Sequence, residues 1–166
     1  GVSGPIPVKL AGRFGGPADS ETKFDVDLDL TQAKIDNLLP GWVKNAGRTA
    51  RASFSYVSKN QATRIENVKI EGSGAAVTGA IELSSKGDFV AASFPAFGLA
   101  DGDKASLKAE RGDDGLIKVT VRGDVFDGRA FVKSVMGGSS AESKQRRAMA
   151  DFELDLKVGA LAGFHG

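Results

Sequence analysis

The chain has 166 residues, and its 22 Lys and Arg against 21 Asp and Glu leave a formal charge of +1, so no electrostatic excess draws it to nucleic acid or to an anionic membrane. The absence of cysteine excludes a disulfide framework and thiolate metal sites, and it suits an oxidising compartment. No apolar run approaches the ~20 residues a helix needs to cross a bilayer, and the opening GVSGPIPVKL lacks the apolar centre of a signal peptide, so any targeting segment is expected outside this sequence.

In chain order, the first strand is expected over 6–14. The next is the clearest. Phe24, Val26, Leu28 and Leu30 point one way while Lys23, Asp25, Asp27 and Asp29 point the other, a strand with one dry and one wet face. Thr31 then stands where it could cap a short helix over 31–39, with Ala33, Leu38 and Leu39 as its apolar side and Pro40-Gly41 as its stop. Trp42, the only tryptophan, follows directly and is expected to plug the end of the sheet, with a ligand contact as the other possibility.

Further strands are expected at 50–58, with Ala52, Phe54 and Tyr56 on one face, and at 63–71. Others follow at 75–84 (Val77, Gly79, Ile81, Leu83), 88–94, 104–111 and 115–122. The turns between them, SKNQ at 58–61, SSKGD at 84–88 and RGDDG at 111–115, have hairpin composition. A second short helix is expected over 128–136 and a flexible polar connector over 137–148. The last strand repeats the design of the second, with Phe152, Leu154, Leu156 and Val158 against Asp151, Glu153, Asp155 and Lys157. The fold class expected is therefore mainly β: a curled antiparallel sheet, a groove or half-barrel of about eight or nine strands with one or two short helices. It forms a single segment over 1–166 that reads as a piece of a longer protein.

The row Asp25, Asp27, Asp29 with Asp36 superficially matches a calcium loop, but the position that must be glycine is Leu30. Alternate carboxylates on a strand also stand ~6.6 Å apart, too far to converge on one ion. The spacing predicts a solvated face, paired across strands with cations such as Arg51, Lys69 or Lys108, and the same holds for Asp151, Glu153 and Asp155. His165 is the only histidine and lies beside the end of the sequence, a poor place for a triad or a metal site. Gly72, Gly74 and Gly79 have the wrong spacing for a dinucleotide fingerprint, and Lys144, Arg146 and Arg147 lack interleaved aromatics. No catalytic residue, metal or cofactor is expected.

Four runs carry a resemblance: DLTQAKIDNLLPGWVKNAGRTARASFSYV (29–57), IENVKIEGSGAAVTGAIEL (65–83), FPAFGLADGDKASLKAERGDDGLIKVTVRGDVFDGRAF (94–131) and FELDLKVGALAGFHG (152–166). Together they resemble the AsmA-like envelope proteins of Gram-negative bacteria, the alphaproteobacterial members with a large periplasmic region above all. The resemblance implies a parent anchored in the inner membrane, a periplasmic β-groove, and phospholipid passing along it towards the outer membrane. It supplies no catalytic motif. On this reading Phe24, Val26, Leu28, Phe54, Tyr56, Ile81, Leu83, Phe152, Leu154 and Leu156 would line the groove, with phospholipid and neighbouring segments of the parent as partners. The other reading is a structural or protein-interaction β module without ligand, whose apolar residues pack only on one another.

Overall fold

The computed structural model describes residues 1–13, 21–36, 38–39, 41–59 and 62–127, and the backbone of 152–161. Nine strands form one sheet: β2 (Val8–Arg13), β3 (Thr22–Asp29), β6 (Ala50–Lys59), β7 (Ala62–Gly72), β8 (Ala75–Leu83), β9 (Phe89–Gly98), β10 (Lys104–Arg111), β11 (Ile117–Phe126) and β12 (Phe152–Leu161). Their order is β12-β11-β10-β9-β8-β7-β6-β3-β2, and the outer strands β2 and β12 do not pair with each other, so the sheet is open. Eight strands run antiparallel as the alternation predicts; the ninth, β12, lies parallel to β11. A parallel neighbour needs a crossover of a dozen or more residues, and 127–151 supplies that length.

Between β3 and β6 the chain makes an excursion, residues 30–49, whose base is closed where Leu30 N–H donates to the Ala50 carbonyl at 2.9 Å. It contains β4 (Lys34–Asp36) and β5 (Val43–Lys44), which with β1 (Val2–Ser3) form a second, three-stranded sheet in the order β1-β4-β5. Leu30, Ala33, Ile35 and Trp42 from this excursion join Ala50, Ala52, Ile70, Val77 and Phe97 of the main sheet in one buried cluster. The small sheet thus caps one end of the large one.

The helix expected over 31–39 is not formed, and there is no helix among the described residues. Residues 31–32 turn and 34–36 extend as β4. The buried positions are Ala33 and Ile35, two apart, while Leu38, which a helix would have buried, is 48% exposed. Eight or nine residues cannot sustain a helix by propensity alone, and here both neighbours, β1 and β5, offer Ile35 a strand ladder instead. The second expected helix, 128–136, and the connector, 137–148, lie outside the described residues.

Several register shifts shape the apolar face, and the one in β7 decides which of its residues reach it. Against both β6 and β8, strand β7 takes three steps where its partners take two, and the extra residue is Asn67, with φ at +52°. This bulge shifts the phase so that Ile65, Val68 and Ile70 all reach the same face. Opposite Val68 stands Gly79, where any Cβ would come within 2.5 Å of the Phe94 ring leaning over from β9.

Candidate functional site

Registers across the sheet assemble the candidate face strand by strand. Directly paired residues share a side, so the pairs Gly12↔Phe24, Phe24↔Tyr56, Tyr56↔Ile65, Ile65↔Ile81, Ile81↔Ala92, Ala92↔Ala109, Ala109↔Val119 and Val119↔Leu154 trace one row over all nine strands. A second row, nearer the cap, runs Val8, Leu28, Ala52, Ile70, Val77, Phe97. Seven of the ten lining candidates belong to this face: Phe24, Leu28, Tyr56 and Ile81 stand in the two rows, Val26 and Phe54 are paired between them, and Leu83 lies beyond Ile81. The backbone at 152, 154 and 156 pairs with Ile117, Val119 and Val121, and the side chains there lie outside the described residues.

The two rows differ in what covers them. Near the cap Ala52, Ile70, Val77 and Phe97 are buried, with the rings of Phe97 and Phe126 6.0 Å apart. Away from it Phe24, Tyr56, Ile65, Ile81, Leu83 and Phe89 are only half-buried. Phe24 and Tyr56 are stacked there, ring centres 4.6 Å apart and 17° from parallel. On the edge strand Val8 and Leu10 continue the face and are 57% and 53% exposed.

The opposite face is wet, and the aspartate row is divided among separate partners. Asp25 accepts a hydrogen bond from the Ser55 hydroxyl, Asp27 pairs with Arg51 at 3.4 Å, and Asp29 accepts from the Thr31 N–H at 2.9 Å. Hydrogen bonds from Thr31 hold the Asp29 carboxyl below the usual aspartate range, aided by the charges of Arg51 and Lys44. Among the described residues no group of three or more His, Cys, Asp and Glu converges as a metal site would require. His165 lies outside them.

The cap holds the tryptophan that the sequence singles out as a plug and a lysine that it does not single out. Trp42 is 1% exposed, and its indole N–H donates to the Ser73 carbonyl, in the β7–β8 turn, at 3.3 Å. Lys44, also 1% exposed, donates its three protons to the carbonyls of Ala33 (2.7 Å), Thr31 (3.1 Å) and Asn45 (3.1 Å). Desolvation lowers its pKa, opposed by the charge of Asp29. The alternation Trp42, Val43, Lys44, with Val43 outward, was the one available signal that this lysine points inward. A polar cleft of about 670 Å³ adjoins it, lined by Arg48, Thr49, Ser73 and Asp101 among others, but the Lys44 ammonium is already saturated by carbonyls.

A second residue that the sequence does not single out is Asp103. Its carboxylate accepts from the N–H groups of Leu99, Ala100 and Asp127 at 2.9, 3.0 and 2.9 Å, closing the β9–β10 turn and fixing the end of β11. No family model, curated protein or solved structure matches the chain. The chemistry of the site therefore rests on its own geometry, in which an apolar face is the only extended feature and no carboxylate pair, histidine or thiol is aimed into it among the described residues.

Proposed function

We propose that this chain is a non-enzymatic β-groove segment that holds the acyl chains of a phospholipid against its apolar face. The observation that carries the reading is the half-buried row of Phe24, Tyr56, Ile65 and Ile81, of which Ile81 packs against the buried cluster while the other three extend the face beyond it. A face of this kind gains about 25 cal/mol for each Å² of apolar area it removes from water, so one acyl chain laid along it is worth several kcal/mol before ordering costs. The resemblance to AsmA-like envelope proteins supports the same reading and adds its setting: the periplasm, a parent anchored in the inner membrane, and passage of lipid towards the outer membrane. A second reading, a ligand-free module that continues its sheet through an edge, is favoured by Val8 and Leu10, which are left exposed on β2.

Native mass spectrometry and lipid extraction of the protein purified from a bacterial host test the first reading. Roughly stoichiometric phospholipid is expected, and Leu28→Asp with Ile81→Asp should abolish it while circular dichroism still reports the sheet. Recovery of no lipid from the folded wild-type chain would leave the edge module as the better description.

A further inference from the structure

Strand β2 ends the sheet and pairs on one side only, with β3. Its hydrogen bonds show which residues face the open side. Asp29 N–H donates to the Pro7 carbonyl at 3.0 Å, and the next pair along is Val8↔Leu28, so Pro7 and Asp29 form a hydrogen-bonded pair. Bonded and non-bonded pairs alternate in an antiparallel ladder, which makes Lys9↔Asp27 and Ala11↔Asp25 the following bonded pairs. The N–H and C=O groups of Val8, Leu10 and Gly12 therefore point away from β3. The far side of β3 agrees: Leu30 N–H donates to Ala50 of β6, so the even-numbered residues of β3 serve β6 and the odd-numbered ones serve β2. Among the described residues nothing pairs with the outward groups of β2. The same residues carry the apolar side chains, Val8 and Leu10, which are 57% and 53% exposed.

This edge is complementary to itself. When two copies of β2 are laid antiparallel about a two-fold axis through Leu10, Leu10 meets the partner's Leu10, Val8 meets the partner's Gly12 and Lys9 meets the partner's Ala11. All three outward-facing residues of each copy then find backbone partners. Gly12 puts no side chain in the way of the incoming valine, and it must be small, because a Cβ there would fall 2.4 Å from Phe24 Cα. On the wet face Lys9 makes no ion pair among the described residues. The two-fold would set it between its own Asp27, directly opposite, and the partner's Asp25, which lies just beyond the small Ala11. Other centres fit worse. An axis through Lys9 opposes two ammonium groups, and an axis through Ala11 sets Val8 against position 14, past the end of the strand.

We infer that the partner of the β2 edge is the β2 edge of a second copy of this chain, paired antiparallel with Leu10 at the two-fold. The axis stands perpendicular to the sheet, so both apolar faces lie on one side and join into a single surface twice as wide. The inference names an occupant for the exposed edge and holds whether or not that surface carries lipid.

The test uses delipidated protein and sedimentation. Six residues of edge make an interface below the usual size for a permanent dimer, so the mass should rise from 17.2 kDa at about 1 µM towards twice that at about 500 µM. Leu10→Pro removes an outward donor without touching the β3 ladder, and it should keep the circular dichroism of the sheet while remaining monomeric throughout. A second measurement is independent of that variant. The chain has no cysteine, so Leu10→Cys and Val8→Cys each introduce a single thiol at a similarly exposed site. Across the two-fold, Cα atoms at position 10 stand about 5.5 Å apart and those at position 8 about 13 Å apart. A short bis-methanethiosulfonate should therefore give at least tenfold more covalent dimer from Leu10→Cys. A wild-type monomer at every concentration, a dimer that survives a folded Leu10→Pro, or cross-linking at position 8 equal to that at position 10 would overturn the inference. Lipid recovery is read separately: a monomer that carries lipid refutes the dimer alone, and a dimer without lipid refutes the groove alone.

Discussion

The capped and uncapped ends of this sheet are built from the same residue types on the same face, yet the first is sealed beneath an excursion of the chain while at the second Phe24, Tyr56 and Leu83 stay half-buried. At the capped end, the excursion between β3 and β6 lays Leu30, Ile35 and Trp42 over Ala50, Ile70 and Val77, and the apolar surface is consumed by packing. At the uncapped end Phe24, Tyr56, Ile81 and Leu83 meet no such excursion and stay half-buried. An apolar strand face therefore does not declare its own purpose. What lies across from it decides whether it stabilises the fold or remains available.

The largest effect should come from removing the plug. Trp42→Ala deletes a fully buried ring and its bond to Ser73, and should cost about 3–5 kcal/mol, read as a lower urea midpoint. Lys44→Met keeps the aliphatic stem but leaves three carbonyls without their donor, for a loss of about 2 kcal/mol. The same variant sharpens the electrostatics. Because burial lowers the Lys44 pKa in the folded state, the unfolded chain holds that proton more tightly, and this group alone makes stability rise as pH climbs from its folded pKa to its ordinary 10.5. That alkaline rise should disappear in Lys44→Met.

At the other end the balance should reverse. Tyr56→Ala, half-buried and stacked on Phe24, should cost only about 1 kcal/mol in stability while lowering recovered lipid severalfold; a large stability loss without any change in lipid would show this end to be core as well. The smallest effect belongs to the wet face. Asp29 has a depressed pKa, so its contribution is complete above its ordinary value of 3.8 and is lost only as pH falls through the lower folded value. Asp29→Asn should lower the neutral-pH midpoint slightly and leave stability below the folded pKa unchanged, so that the acid limb becomes flatter.

The sequence showed the faces of β3 and β6 because nothing interrupts their alternation, and the wet role of the aspartates followed from the same period. It misdirected at 31–39, where a capping threonine and two leucines suggested a helix while Ala33 and Ile35 kept the strand period that tertiary pairing used. For β7 the composition indicates a strand but not its apolar set, since the bulge at Asn67 makes the spacing Ile65, Val68, Ile70 rather than strict alternation. Lys44 was not legible because its burial depends on carbonyls from three other residues. Nor was the direction of β12, since alternation is the same read forwards or backwards.

That direction has a consequence for how the molecule forms. Strands β6 to β11 each join the next through a short hairpin turn, so their pairing can proceed locally, step by step. Strand β12 must instead close a loop of 25 residues, 127–151, before its first ladder bond forms. Until it arrives, β11 with Ile117, Val119 and Val121 is a bare edge, the part of the molecule most open to pairing with another chain. The last strand is thus a late arrival that ends a period of aggregation risk, and conditions that slow its docking should lower the yield of refolded monomer before they change the stability of the finished protein.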